Sequence, residues 1–121
     1  MKKLVLVLLV STLGLSNVNA QLSELSRNLK DASPEVYNPI KALAKDKWLN
    51  NHEMVVFTIN NQVESWREIF FVVVNSENYD DSVLTDAMVK WKVILNSGVD
   101  NVFDWEMVLF TYKNQIKNKD Y

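Results

Sequence analysis

Cysteine is absent from the 121-residue chain. No disulfide can staple it, no thiol can carry a lipid or act as a nucleophile, and stability has to come from packing. Glycine and proline are scarce, two of each, whereas a β-sandwich of this size needs turn punctuation about every 8–12 residues. The single histidine, His52, adjoins Glu53. Neighbouring helical side chains point about 100° apart, so the pair is not spaced to share a metal ion. With no second histidine and no Gly-x-Ser-x-Gly elbow, nucleophile–base machinery has little to draw on. No glycine-rich phosphate cradle, calcium loop or haem-attachment pair occurs, so neither a cofactor nor a metal site is expected. An excess of positive charge is missing too: 13 Lys and Arg stand against 15 Asp and Glu, with no basic block. That excludes nucleic acid as a partner, because phosphates are gripped by clustered cations.

A membrane span is the last absence. The longest apolar run, Leu4–Val10, is broken by Ser11, Thr12, Ser16 and Asn17, well short of the roughly 20 apolar residues a spanning helix needs. Lys2 and Lys3 before that run, and Val18-Asn19-Ala20 after it, complete the three-part pattern of a secretory signal peptide over residues 1–20. Cleavage after Ala20 is expected, with no stable membrane insertion afterwards. The remaining chain, Gln21 to Tyr121, is one domain's length. Without Lys2 and Lys3 the 13 basic residues become 11 against 15 acidic, a formal charge of −4. No Asn-x-Ser/Thr sequon follows residue 20. An exported protein, periplasmic or secreted, in a bacterial envelope is the expectation.

What is present is helical periodicity. Leu22, Leu25 and Leu29 predict a short N-terminal helix, and Asn38-Pro39 reads as a cap followed by proline at the first helical position. Ile40, Leu43, Ala44 and Trp48 carry the stripe onward. Leu49, His52, Val56, Ile59, Val63, Trp66, Phe70 and Val73 continue it by threes and fours, with a break near Asn51, a natural cap. Val83, Leu84, Ala87, Met88, Trp91, Ile94 and Leu95 place a helix over 82–96, closed by Gly98. Asn101 then opens another, carrying Val102, Trp105, Leu109, Tyr112 and Ile116. An α+β alternative rests on the strict alternation of Val89–Val93 and Phe103–Met107. A hairpin around Gly98 would set Lys92 opposite Asp104 and Lys90 opposite Glu106. The helical stripes run longer and agree with their caps, so an all-α fold is expected.

Ten residues are written almost twice: Glu53–Gln62 reads EMVVFTINNQ and Glu106–Gln115 reads EMVLFTYKNQ. Seven positions are identical at an offset of 53. The spacing corresponds to one helix pair, 39–51 with 52–74 and then 82–96 with 101–117. The predicted architecture is therefore a compact bundle of two related αα-hairpins plus the short N-terminal helix, a single domain over 21–121.

Within each copy, Met54 and Phe57, and likewise Met107 and Phe110, lie well away from the main apolar stripe. They form a second apolar face, either buried on two sides or presented to a partner. Four tryptophans are many for this length. Trp66, Trp91 and Trp105 are candidates to line an apolar ligand cavity between helices, with Gln62 as the polar group a ligand would satisfy. Glu64 and Glu68, one turn apart with Arg67 beside them, read as a solvated face. The expectation is a small exported, non-enzymatic protein that binds another protein as an inhibitor, immunity factor or envelope adaptor. A Trp-lined apolar-ligand binder is the alternative.

Overall fold

A computed structural model describes residues 21–118; the expected signal peptide, residues 1–20, lies outside them. The fold is all-α. Helix α1 spans Glu24–Ala32, α2 Pro34–Trp48, α3 His52–Phe71, α4 Asp81–Lys90 and α5 Trp105–Lys117, with a 3₁₀ turn at Val73–Asn75. Four of these starts are capped by a side chain. The Ser23 side chain accepts from Ser26 N, Asn51 from Met54 N, Asp80 from Ser82 and Val83 N, and Asp104 from Met107 N. These bonds satisfy amide groups that no helix can pair internally.

Helix boundaries differ from the sequence reading, in two regions by more than three residues, while α2 and α3 each end three residues early, at Trp48 and Phe71. Helix α2 begins at Pro34, with Ser33 in the cap position, and carries Pro39 in its interior. The early start lets Tyr37 go down to 2% exposure and Ile40 to 1%. Burial of Tyr37 and Ile40, each worth about 1.5–3 kcal/mol, offsets the roughly 3 kcal/mol that an interior proline costs by losing its N–H and crowding the preceding turn.

The second correction concerns the stretch expected as the end of one helix and the start of the next. Helix α4 stops at Lys90 rather than Asn96, and α5 starts after Asp104 rather than at Asn101. Between them the chain makes a narrow excursion. An isolated antiparallel bridge pairs Lys92 with Phe103, flanked by Val93 N donating to Val102 O at 2.8 Å and Asp104 N to Trp91 O at 3.0 Å. Gly98 sits at its far end with φ +80, a left-handed conformation that suits glycine. The alternating pattern around Gly98 thus has a structural counterpart, in a register one residue away from the expected Lys92–Asp104 pairing. Leu95 and Val102, 6% and 1% exposed, hold the excursion against the molecule.

Helices α1, α3 and α5 form one layer. Gln62 of α3 bonds to Asp104 and Trp105 at the start of α5, and Glu68 pairs with Lys113 further along both helices. The two therefore run parallel, with an α5 residue beside the α3 residue about 44 earlier. Since the repeat offset is 53, α5 is slid forward along α3 by about nine residues, roughly 14 Å. Helix α1 lies on the other side of α3, where Ser23 N and Ser26 Oγ each donate to Asn60 Oδ1 at 2.9 Å. Asn60 and Lys113 occupy the same repeat position, and each grips the preceding helix of the layer. Helices α2 and α4 pack on α3 and α5 respectively, as two hairpins should. The core between the layers holds Ile40, Ala44, Ile59, Ile69, Val108 and Tyr112, none more than 3% exposed.

Candidate functional site

The duplicated decapeptide is duplicated in contacts as well. The indole Nε1 of Trp48, at the end of α2, donates to Thr58 Oγ1 at 2.8 Å. That of Trp91, just past α4, donates to Thr111 Oγ1 at 2.7 Å. The preceding lysine lies over each ring, Lys47 Nζ at 5.5 Å from the Trp48 centroid and Lys90 Nζ at 5.6 Å from that of Trp91. Asn51 and Asp104 cap equivalent helices through equivalent amides, at 3.2 and 3.3 Å. A hydroxyl placed to accept an indole N–H closes each hairpin, so the repeated threonine has a structural role.

The sequence carries a signal for this that a fixed period of 53 passes over. Ala44-x-x-Lys47-Trp48 recurs as Ala87-x-x-Lys90-Trp91 at an offset of 43. The excursion after Trp91 adds the ten residues by which the two offsets differ: Trp48 and Thr58 are 10 apart, Trp91 and Thr111 20 apart.

The copies part at the glutamines. Gln62 is 3% exposed; its Oε1 accepts from Trp105 N at 2.6 Å, and its Nε2 lies 2.8 Å from Asp104 Oδ1 and 3.5 Å from Glu106 Oε1. Expected as a group awaiting a ligand, it finds its partners in the chain and ties the first hairpin to the second. Gln115, its counterpart, is exposed. It lines a groove of about 230 Å³ with Val83, Lys90 and Thr111.

Of the other expected pocket residues, Trp66 and Trp105 meet only through Phe70, and Trp91 lies apart from both. Trp66 packs against Phe70 and Phe71, with centroids at 5.5 and 6.0 Å, and lines a groove with Leu25, Leu29 and Val63 between α1 and α3. Trp91 is tied to Thr111. Trp105, 7% exposed, sits between Phe70 and Phe103, with centroids at 5.6 and 5.0 Å.

The Met and Phe positions divide between the two expected fates. Met54 and Met107 are half-buried, while Phe57 and Phe110 are 56% and 59% exposed. Phe57 and Met54 line a groove of about 350 Å³ with Leu43, Trp48, Asn61 and Glu106. This groove crosses the boundary between the repeats, because Glu106 belongs to α5. Among the remaining chemical candidates, His52 and Glu64 are exposed, and Glu68 is engaged by Lys113. Among the described residues no group of three or more His, Cys, Asp or Glu is placed to hold a metal ion, and no helix is long and apolar enough to cross a membrane.

The chain thus defines a class by its geometry: an all-α bundle of two repeated helical hairpins with one further helix at its N-terminal side. Neither protein-family models, nor curated proteins, nor solved structures offer a match to it.

Proposed function

We propose that this protein is a small exported binding module that recognises another protein through the outer face of α3 and α5, as an inhibitor, immunity factor or envelope adaptor would. One observation carries the reading. Two phenylalanines at the same position of the two copies stand more than half exposed, while the tryptophan and threonine beside each are satisfied internally. Single exposed apolar residues are common on protein surfaces and need no explanation. The same large one retained in both copies, each with a methionine one turn before it, fits an adaptable apolar contact. Export is supported by the Lys2–Ala20 pattern.

The test is affinity capture from envelope extract, with the wild-type protein and the Phe57→Ser/Phe110→Ser variant compared side by side. A protein held by the wild type and lost by a variant of unchanged circular dichroism is the expected result. Equal capture by both, or unfolding of the variant, sinks the reading.

A further inference from the structure

The face that carries the two phenylalanines also has a spacing and a charge, and together these describe what would cover it. Phe57 and Phe110 stand at the same angle on parallel helices. They are separated by about 14 Å along the axis and by one interhelical distance, about 9 Å, across it. The straight-line separation is therefore about 16 Å. In a helix that is about eleven residues, three full turns, which returns a side chain to the same face.

The surface around and between them carries a net negative charge. Glu53 lies one turn before Phe57, Glu64 two turns after it, and Glu106 one turn before Phe110 across the shared groove. All three are exposed, and none has an ion-pair partner among the described residues. Of the cations nearby, Arg67, one turn after Glu64, is exposed, so three unpaired carboxylates stand against one unpaired guanidinium among the described residues. The other cations are engaged or displaced. Lys47 lies on Trp48, Lys113 is held by Glu68, and Lys117 lies beyond Phe110.

We infer that the partner presents a basic amphipathic helix, with two apolar side chains eleven residues apart and lysine or arginine between them, laid across α3 and α5. This rests on the binding face proposed above and adds the partner's chemistry. The apolar pair supplies contact area at both ends. The carboxylates select against acidic partners and speed encounter with basic ones, an effect that salt screens over about 8–10 Å.

A phage-displayed library of helical peptides, panned at low salt against protein purified after expression of the full chain, tests the inference. Enriched peptides should be net positive with apolar residues at the eleven-residue spacing. Their affinity should fall about tenfold or more on Phe57→Ser or Phe110→Ser alone, the scale of a contact at the centre of an interface. It should fall similarly on Glu64→Lys/Glu106→Lys, and weaken as salt is raised. Both glutamates are exposed, so circular dichroism of that variant should match the wild type. Peptides that need the phenylalanines but ignore the charge reversal would overturn the basic partner and leave the binding face standing. Peptides indifferent to the phenylalanines would overturn both, and failure to enrich any peptide would overturn the helical partner.

Discussion

At the scale of single residues, the same side chain does equal or unequal work according to what the second copy brings to it. Thr58 and Thr111 make the same bond to a tryptophan from the same relative position. Thr58→Val and Thr111→Val should therefore each cost about 1 kcal/mol, the net value of a hydrogen bond to a partly buried donor, and the two urea midpoints should shift alike. Gln62 and Gln115 are the opposite case. Gln62→Leu strands the Trp105 amide and removes a donor from the Asp104 carboxylate, a loss of about 2–3 kcal/mol. Gln115→Leu, on an exposed position, should stay within about 0.5 kcal/mol. Equal shifts at the two glutamines would contradict the role assigned to Gln62.

At the scale of elements, the early start of α2 has a measurable consequence through Tyr37. Burial raises the pKa of its phenol above the ordinary value of 10.0, because the ionised form is not tolerated in the core. The folded state thus holds its proton more tightly than the unfolded chain. Stability from the neutral phenol is full below about pH 10 and is lost as pH rises through the folded-state value. Tyr79 is raised too, first by its hydrogen bond to Asp81 and then by burial and nearby charge. Alkaline denaturation curves should accordingly be less steep for Tyr37→Phe than for wild type, and ultraviolet titration should show phenols ionising above the free-tyrosine range. An unchanged alkaline limb in Tyr37→Phe would mean that the buried phenol is not what alkali attacks.

At the scale of the whole molecule, the slide of α5 along α3 turns two like hairpins into one unlike pair. It brings Asp104 to Gln62, Lys113 to Glu68 and Glu106 into the groove of Phe57. Helix α1 takes the corresponding side of α3, where Asn60 receives Ser23 and Ser26. The second hairpin leaves its own groove, with Gln115, open.

By itself the sequence determined the helices, the hairpins and their duplication, because those follow from local period and caps. Apolar residues at threes and fours, asparagine or aspartate before α3, α4 and α5, and the decapeptide at a fixed offset all act over a few turns of chain. Only the tertiary structure decided the rest. Ending α4 at Lys90 depends on Leu95 and Val102 finding burial elsewhere and on Trp91 reaching Thr111, contacts that a periodic stripe cannot reveal. Whether Phe57 faces solvent while Val56 is buried depends on which side of α3 its neighbours occupy. That is set by long-range packing. The identical letters of Gln62 and Gln115 could not tell that one is enclosed by the other hairpin and the other meets water.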